Sequence, residues 1–135
     1  MKLDLALIAD AATVDGSGKL NILGVFDHIA VVEFPARHER MCLVMRFRAT
    51  AAETGEHQID VVIQDPSKEE IARMSGSIDL GKAVGRESVH IPQVLHLDGF
   101  VFTQPGVYRL SVEIGGEVDQ AVHLEVSKAA RIPQA

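Results

Sequence analysis

The sequence predicts an all-β protein, an antiparallel two-sheet β-sandwich of seven to eight strands. Three observations predict it. Apolar residues recur with period two, the signature of strands with one buried face. Turn signals built from Gly, Pro and Asp interrupt these runs roughly every 8–12 residues. The 135 residues, 47% apolar and 24% charged, are enough for one globular core without a disulfide or metal.

The first strand carries Leu3, Leu5, Leu7, Ala9 and Ala11, and Leu20, Ile22, Gly24 and Phe26 follow the Asp15-Gly16-Ser17-Gly18 turn. A four-residue loop, Asp15 to Gly18, would pair Val14 with Lys19, Ala11 with Ile22, Ala9 with Gly24 and Leu7 with Phe26. That register turns both apolar sets inward, whereas an odd loop would leave one outside. Near Asp27-His28 the apolar phase changes, which predicts a bulge or a switch of sheets over Ile29 to Phe34. Pro35 to Arg40 reads as a loop.

Met41, Leu43, Met45, Phe47 and Ala49 mark the third strand, ended by Glu53-Thr54-Gly55. Ile59, Val61 and Ile63 mark the fourth, closed by Asp65-Pro66-Ser67. Ala72, Met74, Ile78 and Leu80 mark a fifth, although Glu69 to Met74 also suits a turn of helix. Beyond a Gly81–Gly85 loop, Val89, Ile91, Leu95 and Leu97 form a sixth, which Pro92 places at an edge or bulge. The last hairpin joins Tyr108, Leu110, Val112 and Ile114 to Val118, Val122, Leu124 and Val126. A three-residue loop, Gly115 to Glu117, would set Ile114 opposite Val118, Leu110 opposite Val122 and Tyr108 opposite Leu124. Residues 1–127 form one domain and 128–135 a frayed tail.

Gln104-Pro105-Gly106-Val107-Tyr108 resembles a tyrosine corner, whose hydroxyl bonds to the chain a few residues upstream at the start of a penultimate strand. The resemblance implies an immunoglobulin-like architecture, but with one cysteine and no tryptophan the antibody Cys…Trp…Cys core is absent. Two further blocks, Leu7 to Ala12 running on to Asn21–Asp27, and Leu97 to Gly116, flank the strand Leu43–Phe47. In these the chain resembles an uncharacterised bacterial family of short β-sandwich proteins, a domain of unknown function. That resemblance implies a fold and no activity.

The net charge of −6 and scattered basic residues argue against nucleic acid. Neither a signal peptide nor a membrane span is apparent, and Cys42 is the lone cysteine, so a reducing cytoplasm is expected. Gly16-Ser17-Gly18-Lys19 lacks the first glycine and the following helix of a phosphate loop. His90 and His96 share a strand face but lie about 20 Å apart along it, too far to share a metal. His123-Leu124-Glu125 lacks the Pro-Cys-x-x-Cys partner of a zinc deaminase. No Gly-x-Ser-x-Gly elbow supports a serine nucleophile. No loop has calcium-binding acidic spacing. The sequence therefore implies no cofactor, no metal and no catalytic set, and leans away from an enzyme.

One feature points outward. Ile8 and Ala12, Leu23 and Val25, and Cys42 and Val44 put apolar side chains on the second faces of their strands. Strands buried on both sides, or covered by another subunit, read this way. Ile8, Leu23, Val25, Cys42 and Val44 are accordingly the expected interface of a non-enzymatic protein-interaction module able to form a homo-oligomer. The alternative is a small-molecule binder or hydrolase with a site assembled from distant loops.

Overall fold

A computed structural model describes residues 1–81 and 88–130; most of the expected Gly81–Gly85 loop and the end of the expected tail lie outside them. The strands are β1 (Lys2–Val14), β2 (Leu20–Val25), β3 (His28–Val31), β4 (Ala36–His38), β5 (Cys42–Thr50), β6 (Glu56–Gln64), β7 (Glu70–Asp79), β8 (Ser88–His96), β9 (Phe100–Phe102), β10 (Gly106–Ile114) and β11 (Glu117–Lys128). Among the described residues the sole helical element is a 3-10 turn, Ala51–Glu53. The protein is all-β. The surplus over seven or eight strands consists of the short β3, β4 and β9.

A four-stranded sheet runs β2-β1-β5-β8, a five-stranded sheet β3-β11-β10-β6-β7, and β4 pairs with β9. Pairing is antiparallel except between β3 and β11, which are parallel. The phase change at Asp27-His28 is thus a switch of sheets, because β2 and β3 lie in different ones. β7 is a strand throughout, with no helical turn after Glu69. Pro92 lies on β8, an edge strand, opposite Arg46, in the kind of position where a sheet tolerates proline. Both larger sheets feed the main core, which includes Leu3, Ile8, Leu43, Phe47, Ile63, Tyr108, Leu110 and Leu124.

Both hairpins depart from the expected registers, the first through an odd turn and the second through a bulge. Val14 pairs with Leu20 and Ala12 with Ile22, one residue away from the even loop. Asp15 and Lys19 close the turn: Asp15 N–H donates to Lys19 O at 2.9 Å, and Gly18 N–H to Asp15 O at 3.0 Å. Asp15 Oδ1 accepts from Ser17 N–H at 2.9 Å, Ser17 Oγ at 2.6 Å and Lys19 N–H at 3.0 Å. A type I turn followed by a left-handed residue accounts for this odd count. The same turn recurs at Asp65, whose Oδ1 accepts from Ser67 N–H, Ser67 Oγ and Glu69 N–H.

In the last hairpin, Tyr108 does face Leu124 and Leu110 does face Val122. The loop, however, is the two-residue Gly115-Gly116 turn, with Ile114 opposite Glu117. The extra residue sits in a bulge on β11, where pairing jumps from Val112–Gln120 to Glu113–Val118. The bulge aims Asp119 and Gln120 at β1: Leu3 N–H donates to Asp119 Oδ2 at 2.9 Å, and Gln120 Nε2 donates to Leu3 O at 2.9 Å. β11 also continues through Lys128, one residue past the expected domain end, because β3 pairs with it there.

Tyr108 makes the corner that the sequence predicts. Its hydroxyl donates to Gln104 O at 2.8 Å and accepts from Gln104 N–H at 3.2 Å. Replacing Tyr108 with Phe strands two backbone groups, and the expected loss in urea unfolding is about 1–3 kcal/mol. An unchanged midpoint would mean that the corner does not hold the turn.

Asp65 is buried, and the Ser67 hydroxyl bond, ahead of the backbone N–H groups of Glu69 and Ser67, holds its carboxyl below the ordinary aspartate value. A depressed carboxylate stabilises the fold above that ordinary value, and the contribution fades as pH falls through the folded-state value. The stability gap between wild type and Asp65→Asn should therefore narrow as unfolding is measured from pH 5 down toward the acid limit. A gap that widens would contradict the assignment.

Candidate functional site

The outer faces of the two larger sheets differ in kind. On the five-stranded sheet, Arg73 reaches Asp60 at 3.2 Å, Glu70 at 2.9 Å and Glu113 at 3.5 Å. Such a half-exposed ion network suits a face turned to water. The four-stranded sheet instead carries a second apolar cluster. Ala9, Ala12, Cys42 and Val44 are buried there, with Leu5, Leu7, Leu20, Ile22 and Val94 packed over them. Strand β5 is thus buried on both faces.

The five expected interface residues do not all share this face. Ile8 is a correction: it lies in the main core. The shift of register between Leu3 and Leu5 is a bulge in the β1–β5 ladder. It reverses the inward phase, so that Ala6 and Ile8 face the main core while Leu5, Leu7 and Ala9 face the second cluster. Cys42 and Val44 do lie on the second face, at 1% and 0% exposure, beneath their neighbours rather than at the surface. Leu23 and Val25 are exposed, at 72% and 61%. They end the β2 border of the sheet, where β2 pairs with β1 on one side only.

Two concavities adjoin these elements. One, of about 180 Å³, opens between the edge strands β7 and β8 and is lined by Met45, Phe47, Met74, Ile78 and Leu95 among others, with no titratable side chain. The other, of about 270 Å³, lies at the β2-to-β3 crossing and holds Asp10, His28 and His38 beside Phe26. Sequence reasoning missed this grouping, since the sheet switch alone brings His28 toward Asp10. His28 Nε2 lies 2.8 Å from Ser127 Oγ, and the Phe26 and His38 rings are 5.9 Å apart.

Gly24, at φ +72°, lies under Asp10, whose Oδ2 is 2.3 Å from where a Cβ would stand. The backbone conformation and the close approach both require glycine there. Among the described residues no three His, Cys, Asp or Glu side chains are placed to hold a metal ion. No helix among them is long and apolar enough to cross a membrane.

Residues 4–127 match the model of a family described as a family of unknown function, DUF6941. No curated protein matches the chain. Among solved structures, the Pseudomonas fluorescens alkylpurine DNA glycosylase AlkC, bound to DNA containing an abasic site analog, is similar at 16% identity and a TM-score of 0.49. The similarity covers 90% of this chain but 30% of that one, and carries no argument about activity.

Cys42 tests the two-sided burial. Its Sγ–H donates to Ala9 O at 3.5 Å. Burial first, then the Asp98 carboxylate, raises its pKa above the ordinary thiol value. A thiol reagent at pH 8 should label native Cys42 more slowly than the unfolded chain, on the order of a hundredfold. Equal rates would show that the second cluster is open to solvent.

Proposed function

The chain belongs to the DUF6941 family of unknown function, and from that starting point we propose that it is a non-enzymatic protein-interaction module. Its docking surface is the β2 border of the four-stranded sheet. One observation carries this reading: among the described residues Leu23 and Val25 are the most exposed of the large apolar side chains, and both lie on the edge strand β2. Burying a Val or Leu side chain is worth about 1.5–3 kcal/mol, so covering both would supply a real driving force for association.

Two finer statements belong to the same proposal. The architecture is an immunoglobulin-like sandwich, a reading supported by the Tyr108 corner and by a core drawn from both larger sheets. The protein works in the cytoplasm, a reading supported by its single, buried cysteine. The second functional reading is a small-molecule site at the Asp10–His28–His38 cleft. It is favoured by the Asp10 carboxylate and the His28 and His38 imidazoles lining one concavity.

A photo-crosslinking amino acid placed in turn at Leu23, Val25 and Val118 tests the docking surface in the native cell. Val118, on β11, is the exposed apolar control. Adducts with a polypeptide should form from positions 23 and 25 and not from 118. Adducts from all three positions, or from none, would overturn the proposal.

A further inference from the structure

We propose that the occupant of the β2 border is a second copy of this chain, joined across a two-fold axis by antiparallel pairing of the two β2 strands. This rests on the docking reading above. The first ground is that, of the edges of the two larger sheets, β2 is the one without a charge, a proline or a short length to guard it. Proteins keep edge strands apart with proline, charge, bulges or short length. Edge strand β8 carries Pro92, β7 carries Glu70 and Arg73, and β3 is four residues long. Strand β2 reads Leu-Asn-Ile-Leu-Gly-Val, with neither a charge nor a proline in its six residues; Gly24, at φ +72°, is its one left-handed residue, and Leu20 to Leu23 form its unbroken paired stretch against β1.

The second ground is charge. Lys19 immediately precedes β2 and Asp27 follows it by two residues; both are exposed. Neither makes an ion pair among the described residues, and the Asp10 carboxylate lies unpaired at the same end as Asp27. Antiparallel pairing centred on Leu23, which then faces its own counterpart across the two-fold, sets Lys19 of each copy opposite Asp27 of the other. A parallel pairing would set Lys19 against Lys19 and Asp27 against Asp27. The charges therefore select the antiparallel direction, as cross-strand pairs do within a sheet.

The third ground is closure. A two-fold contact uses the same edge in both copies and leaves neither open, so association stops at a dimer. It joins two four-stranded sheets into one of eight and brings the exposed Leu23 and Val25 of both copies into the seam.

Sedimentation velocity on the purified full chain, with light scattering, tests the seam. Wild type at about 0.1 mM should be a dimer. Lys19→Asp and Asp27→Lys should each weaken it by about tenfold or more, since every substitution alters two symmetry-related pairs. The double variant Lys19→Asp/Asp27→Lys should dimerise again, which also excludes misfolding as the cause of the single effects. A monomeric wild type would overturn the proposal, as would a dimer indifferent to both single reversals or unrestored by the double. A monomer that still gives adducts from positions 23 and 25 in the cell would leave the docking reading standing with a different polypeptide as partner. Loss of those adducts removes both.

Discussion

Strand β5 has to be buried on both faces, and the rest of the molecule is arranged around that requirement. Leu43, Met45 and Phe47 face the five-stranded sheet; Cys42 and Val44 face away from it and are equally hidden. Water is excluded from the first face by another sheet. The second face has only its own sheet for cover, so Leu5, Leu7, Leu20, Ile22 and Val94 must lean over the smaller Ala9, Ala12 and Cys42. Such a cap is apolar underneath and apolar at its rim, which leaves its border able to recruit further cover.

Bulges decide which residues form that cap. Near Asp4 the β1–β5 register slips, and Ile8 turns toward the main core while Leu5 and Leu7 turn outward. At Asp15 the side chain itself gathers three hydrogen bonds, drawing the loop into a turn whose odd length sets Ile22 beside Ala12. Leu23 is then one position out of phase with Ile22, and a strand carries successive side chains to opposite faces. At the other end, the β11 bulge turns Asp119 and Gln120 onto the backbone of Leu3 and so ties the two larger sheets together. A few carboxylates and one amide thus position an otherwise apolar arrangement.

Much of the fold was legible because alternation survives in the sequence. The core face of β5, the edge position of Pro92, the sheet switch at Asp27-His28 and the Tyr108 corner each follow from a residue's own chemistry. Bulges were not legible. An extra residue in a ladder looks the same as an extra residue in a loop, so the last hairpin has a shorter loop than expected although Tyr108–Leu124 and Leu110–Val122 pair as expected. The first has a longer one because the Asp15 side chain, not the apolar pattern, sets its turn. Three-residue strands such as β4 and β9 are too short to display a period. Of the expected interface, Leu23 and Val25 were readable as apolar residues with no inward place. Ile8 was not, because its face depends on a bulge one turn of the pleat away. The Asp10–His28–His38 cleft depends on a change of sheet and left no local signature, apart from the glycine at position 24 that admits Asp10.

A second copy covering the β2 border in solution would shield its backbone amides. Amide hydrogen exchange of residues 20–25, compared in dilute and in concentrated solutions of the purified chain, reads this directly. Protection of these amides should rise with protein concentration, while that of the edge strand β7 should not change. Concentration-independent exchange along β2, equal to that of β7, would contradict the dimer.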